Sequence, residues 1–194
     1  MNTFIICGSG RKDSNSQKFT KHLASILPDL GINRISTIDF EHADIPMVGK
    51  GDIKPDALTP FQAELVSGWE NADLIFMVVP EYNWTTNGEF TNALHQLGGN
   101  HFAHLFNNKV FAMAGVSAGR GGRMPALEMS MVVSKLINFL NQYSVVSPRI
   151  YESHETNINL TQDGVSTGNT VYEKSVIAFA SYAINVCKRW NGIQ

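Results

Sequence analysis

Hydroxyl, amide and guanidinium side chains crowd into one short segment near the start of the chain, residues 8–17 (GSGRKDSNSQ), where Ser9, Ser14 and Ser16 stand among Arg11, Lys12 and Asn15. Such a set can hold a phosphate. The hydroxyls donate, the guanidinium forks onto two oxygens, and a helix starting here would add unsatisfied N–H groups and its dipole. In the plainer alternative Ser14 only caps that helix and Arg11 and Lys12 are solvated. A second segment, residues 80–89 (PEYNWTTNGE), places Tyr82 and Trp84 beside Glu81 and Asn83, a set suited to a planar ring. A third, residues 115–123 (GVSAGRGGR), offers Ser117 and Gly119 and then Arg120 and Arg123 around two further glycines. A phosphate beside a planar ring outlines a mononucleotide of the flavin kind.

The elements that must position these loops follow from hydrophobic pattern. Each loop comes after a short, continuous apolar run (residues 4–7, 74–79 and 110–116), as expected of strands buried on both faces of a parallel sheet. Residues 35–40 and 144–151 supply a second and a fifth strand, the latter at a sheet edge because of Pro148. Helical stripes lie between them: Phe19, Leu23 and Leu27; Phe61, Leu65 and Trp69; Phe90, Leu94 and Leu97; and a closing Tyr172, Val176, Phe179 and Ala183. Ser14 with Gln17, and Thr86 with Glu89, have the spacing of capping boxes. Residues 124–140 read as a helix that is apolar nearly all round, and residues 43–60, with three prolines and two glycines, as a long loop. Strands alternating with helices predict a doubly wound α/β domain over residues 1–194, a five-stranded parallel sheet in the flavodoxin-like order 2-1-3-4-5. In such sheets ligands sit beyond the carboxyl ends of the strands, so the three loops are expected to converge.

Composition narrows the function classes. A net charge of -2 provides no basic face for nucleic acid, no apolar run approaches membrane-spanning length, and the opening residues lack a signal-peptide pattern. A cytoplasmic protein is expected. Cys7 and Cys187 stand at opposite ends of the chain, and a disulfide framework is not expected. The first loop lacks a Walker string. It also lacks the arginine that a cysteine phosphatase places six residues after its thiolate, since Asp13 stands there. Gly8 and Gly10, with Asp39 closing the second strand, begin a dinucleotide fingerprint whose third glycine is replaced by Asp13. His95, His101 and His104 have no acidic or cysteine partner at a recognisable metal spacing.

The stretch PEYN, Pro80 to Asn83, resembles the signature of the NADPH-dependent FMN reductase family, which includes quinone, azo and chromate reductases. The glycine-serine-arginine loop and residues 119–122 fall where that family has its other two flavin loops. The resemblance implies a flavodoxin-like fold with noncovalent FMN. Ser9, Arg11, Ser14, Asn15 and Ser16 would hold the phosphate, Pro80, Glu81, Tyr82 and Asn83 would lie along the isoalloxazine ring largely through backbone groups, and Ser117 and Gly119 would close the opposite edge. This chain has Ser16 where the family often has asparagine, and Trp84, Thr85, Thr86 and Asn87 where glycine-serine-isoleucine-proline is common. Trp84 therefore has two readings, stacking on an acceptor or nicotinamide and packing between subunits. Arg120 or Arg123 could pair with the extra phosphate of NADPH, or both could be solvated.

The implied activity is a ping-pong NAD(P)H oxidoreductase in which a hydride passes through flavin N5 to a quinone-like or other small acceptor, with NADPH or NADH as cosubstrate and no catalytic triad. A flavodoxin-type electron carrier and a dinucleotide-binding redox sensor are the alternatives. Carriers commonly use an acidic docking face, which the near-neutral charge does not favour. The apolar helix and long loop predict a homodimer or homotetramer.

Overall fold

The structure, a computed structural model, describes residues 1–192 of the chain. Strand β1 (Asn2–Cys7) is followed by α1 (Asn15–Ile26), β2 (Arg34–Asp39), α2 (Pro60–Asn71), β3 (Leu74–Pro80), α3 (Gly88–Leu97), β4 (Val110–Val116) and α4 (Arg123–Phe139). Then come the short strands β5 (Val145–Val146) and β6 (Tyr151–Ser153), a one-turn helix α5 (Thr156–Asn159) and the long α6 (Thr170–Trp190). The strands run parallel in the order β2-β1-β3-β4-β5, with β6 also on β4, which is the predicted 2-1-3-4-5 arrangement.

Apolar runs without alternation become the interior strands, because helices cover both faces. Every residue of β3 and of β4 is buried, whereas edge strand β2 buries only Ile38. Successive side chains of β1 serve opposite cores. Phe4 and Ile6 pack with Trp69, Phe90 and Met129 on one side, and Ile5 packs with Phe19, Phe76 and Phe179 on the other. Cys7 is aligned with Val78 and Pro80 with Val116, so the loops after β1, β3 and β4 leave the sheet side by side.

Local expectations fared unevenly. The α1 box forms: Gln17 N–H donates to Ser14 Oγ and Ser14 N–H to Gln17 Oε1, each at 3.1 Å. A second box that the sequence reading passed over, Thr59 with Gln62, opens α2 with Pro60 in its first turn. The box expected at Thr86 and Glu89 does not form. Helix α3 starts one residue later, with Asn87 as an N-cap that makes no capping bond, because Glu128 Oε2 takes the Thr86 N–H at 2.9 Å. The fifth strand, expected over residues 144–151, is broken. Pro148 has no N–H to donate, so pairing with β4 stops after β5 and resumes at β6. Residues 43–59 carry no regular element but are tied to α3. Asn92 Oδ1 accepts from Val48 N–H at 2.9 Å, and Gln96 Nε2 donates to Pro46 O and Gly51 O at 2.9 and 2.8 Å. Helix α4 buries Pro125, Ala126, Met129 and Val133, while Met124, Leu127, Met131 and Phe139 remain exposed. No helix among the described residues is long and apolar enough to cross a membrane.

Candidate functional site

Beyond the carboxyl ends of β1, β3 and β4 lies a cleft of about 280 Å³, bordered by residues of all three loops. A larger groove, about 420 Å³, sits at the other end of the sheet among Asn2, Arg34 and Asn71, far from the three loops. The smaller cleft has the chemistry. Helix α1 opens into it, and the N–H groups of Asn15 and Ser16 have no acceptor among the described residues, as helix starts require. Ser9 and Ser16 are buried beside them. Ser9 Oγ accepts from Arg11 N–H at 3.3 Å and lies 3.5 Å from the Tyr82 hydroxyl. The Arg11 guanidinium stands 4.1 Å above the centre of the Tyr82 ring, a cation–π contact that keeps its charge at the cleft wall. Asp13 Oδ1 is engaged by Gln162 Nε2 at 3.0 Å.

The second loop turns sharply after β3. Tyr82 N–H donates to Thr85 O at 2.9 Å and Thr85 N–H returns the bond at 3.2 Å, with positive φ at both Asn83 (50°) and Trp84 (64°). This is a type I′ turn, whose second central position is ordinarily glycine. Trp84 occupies it with 78% of its surface exposed. The N–H groups of Asn83 and Trp84 accordingly have no acceptor among the described residues.

Glu81 turns away from the cleft. Its carboxylate accepts from Ser117 Oγ at 3.2 Å and from the Gly122 N–H, so it buttresses the third loop from behind. A Cβ on Gly121 would displace the Glu81 carboxylate from this position. Gly115 and Gly122 touch backbone to backbone, where a Cβ on Gly115 would stand 1.7 Å from Gly122 O. Within the third loop Gly119 N–H donates to Ser117 Oγ at 3.2 Å, whereas the Ala118 N–H has no acceptor among the described residues.

Sequence reading missed the residues that lock the loops together. Asn87 Nδ2 donates to Gly8 O at 2.6 Å, joining the second loop to the first. Glu128 of α4 accepts from Thr85 Oγ1 at 2.7 Å and from the Thr86 N–H, joining it to the helix after the third. No local signal marks such pairs, since 43 positions separate Thr85 from Glu128. Of the two arginines, Arg123 is held by Glu152, with Nε and Nη2 each 2.8 Å from Oε1, and His154 Nε2 lies 3.6 Å from the other oxygen. Arg120 is exposed on the same loop. Cys7, at the end of β1, is fully buried, and burial pushes its thiol up to about 11, so it carries no nucleophile at neutral pH.

This donor set suits FMN. Hydroxyls, a guanidinium and open helix N–H groups would meet a phosphate, and N–H groups on the second and third loops would meet acceptor atoms at a flavin edge. Both carboxylates near the cleft, Asp13 and Glu81, are engaged elsewhere.

The family model described as NADPH-dependent FMN reductase matches residues 1–148. No curated protein matches the chain by sequence. Among solved structures, the flavoenzyme NAD(P)H:(acceptor) oxidoreductase FerB from Paracoccus denitrificans is similar over 95% of this chain and 97% of its own, with a TM-score of 0.67 and 21% identity. A flavodoxin from the domain Archaea covers 98% and 99% with a TM-score of 0.56 and 8% identity. A protein titled NADPH-quinone reductase from P. pentosaceus covers 94% and 98% with a TM-score of 0.56 and 14% identity. At such identities these likenesses show the fold alone, and the family rests on the sequence model.

Proposed function

The chain belongs to the NADPH-dependent FMN reductase family, which makes it an FMN enzyme with NAD(P)H as electron donor, and on that premise we propose a ping-pong reductase of small quinone-like acceptors. The chemistry supplied by bound FMN is acceptance of a hydride at N5 from the nicotinamide and its delivery to the acceptor. The protein's own part is to bind, orient and exclude water. In this reading Ser9, Ser14, Asn15 and Ser16 hold the phosphate at the start of α1, and Arg11 leaves the Tyr82 ring to join them. Pro80, Glu81, Tyr82 and Asn83 line the flavin ring, with Glu81 acting through the loop it buttresses, and Ser117 and Gly119 border the opposite edge. Trp84 covers the face where acceptor and nicotinamide alternate. Arg120 receives the extra phosphate of NADPH, since Arg123 is already neutralised by Glu152. The observation that carries the reading is the convergence of three loops on one cleft at the open end of α1.

The protein is further proposed to act in the cytoplasm as a homodimer or homotetramer, using no partner beyond its small-molecule substrates. Purified protein loaded with FMN tests the enzymatic reading. The visible flavin absorption should bleach on anaerobic titration with NADPH and return on adding a quinone. A chain that binds no FMN, or whose flavin stays oxidised under NADPH, is not this enzyme.

A further inference from the structure

Besides the Glu81 contacts, a second set of hydrogen bonds to the third loop comes from beyond residue 148, where the family match ends. Ser117 N–H donates to Ser153 O at 3.0 Å, Thr156 N–H to Ser117 O at 3.2 Å, and Glu155 N–H to Gly119 O at 2.8 Å. Side chains extend this shelf inward to α6. Thr156 Oγ1 lies 3.1 Å from Ser117 O and 3.0 Å from Ser153 O, Ser153 Oγ lies 2.7 Å from Thr156 Oγ1, and the Tyr172 hydroxyl lies 2.6 Å from Ser153 Oγ. The donors can be ordered. A carbonyl only accepts, so the single Thr156 proton is shared between Ser117 O and Ser153 O, Ser153 then donates to Thr156, and Tyr172 to Ser153. All three residues are buried, and burial raises the Tyr172 phenol, which keeps it a donor at working pH.

Ser117 O belongs to the same peptide unit as the Ala118 N–H. In a trans peptide these two groups point in opposite directions. Holding the carbonyl on the Thr156 side turns the N–H to the other side, where Ala118 borders the cleft and the N–H has no acceptor among the described residues. A carbonyl that accepts a hydrogen bond also polarises its own N–H into a stronger donor.

We infer that Thr156, oriented by Ser153 and Tyr172, is a positioning residue that aims the Ala118 N–H at the flavin ring. The inference rests on the reading of the third loop as the ring-edge contact. A segment outside the family match thereby completes the cofactor site.

The test uses FMN and riboflavin as separate probes of the apoprotein, followed by fluorescence quenching, with the visible spectrum of the bound flavin as a second readout. Thr156→Val keeps the shape and removes the hydroxyl donor, leaving the Thr156 N–H bond to Ser117 O in place. It should weaken both ligands by the same factor, about five- to tenfold, because the lost contact is to the ring and not to the phosphate. Its visible band should shift, and Thr156→Ser should restore both affinity and band. A loss of fold would also lower both affinities together, but it would move the melting temperature and leave the band of the flavin that does bind unshifted. If Thr156→Val does not fold, Tyr172→Phe removes only the outermost donor and should give the same pattern at about two- to threefold. Unchanged affinity and band in either folded variant, or a loss confined to FMN, overturns the inference. Failure of the unaltered protein to bind either flavin overturns the flavin reading itself, a result reached before any Thr156 variant is made.

Discussion

Arg11 is the residue whose role depends most on its surroundings. Alone in the cleft it stacks on Tyr82; with a phosphate at the start of α1 it has a better partner, because a charge-assisted fork outweighs an exposed cation–π contact. Arg11→Ala should therefore cost about 1.5–3 kcal/mol of FMN binding and leave riboflavin binding little changed, as calorimetry with the two ligands would read. Trp84 makes the opposite exchange. A bulky residue at φ 64° in a type I′ turn stores strain of about 1–2 kcal/mol, part of which glycine would recover after its own entropic cost in the unfolded chain. The expected outcome for Trp84→Gly is a protein more stable by about 0.5–1 kcal/mol in urea unfolding, with kcat/KM for aromatic quinones lowered several-fold to about tenfold. A variant destabilised and kinetically unchanged would mean the ring serves packing alone. Residue type marked PEYN and the serines around Arg11 in the sequence as a candidate site, and the structure brings Ser9, Ser14 and Ser16 to one cleft with Pro80, Glu81 and Tyr82. The sequence did not announce the turn, since Asn83 followed by Trp84 lacks the glycine that normally signals one.

At the scale of elements, the site is three loops fastened to one another by groups remote in sequence. Gly115 and Gly122 meet where β4 ends and α4 begins, and no side chain fits between them. Gly115→Ala should destabilise the fold by about 3 kcal/mol or more and abolish flavin retention together with it, measured by thermal melting and by the flavin content of the purified protein. Interior strands were legible because a strand buried on both faces has no polar alternation, and Leu74 to Val79 could be little else. The capping box at Ser14 was legible for the same local reason. Its counterpart at Thr86 failed because Glu128, 42 positions later, outbids the helix for the same N–H. Pairs such as Glu128 with Thr85, or Thr156 with Ser117, leave no mark in local spacing and exist only once the sheet has brought β3, β4 and the C-terminal segment together.

For the molecule as a whole, two surfaces and one buried group make predictions. Met124, Leu127 and Met131 recur at helical spacing on the uncovered side of α4, and Trp84 projects from the loop that Glu128 fastens to that helix. Such a stripe suits a second copy of the chain. Light scattering should show a dimer or tetramer, and Met131→Glu should shift it toward monomer. His22 governs the pH response. Its Nδ1 lies 3.0 Å from Gly164 O and must carry the proton, while Nε2 is buried without a partner. Burial lowers its pKa against the opposing pull of the Gly164 carbonyl and Glu173. The unfolded chain therefore protonates first as pH falls, so stability is full above about pH 6.5 and declines below it until the folded state also protonates. Urea unfolding between about pH 8 and pH 5 should show that slope, and His22→Gln should flatten it. A last consequence follows from Pro148. By breaking the outer partner of β4 into pieces of two and three residues, it leaves that border of the sheet without a continuous row of free backbone donors and acceptors. A stray strand from another molecule has nothing long enough there to zip onto, so the open flank of this sheet resists the chain-to-chain stitching from which fibrils grow.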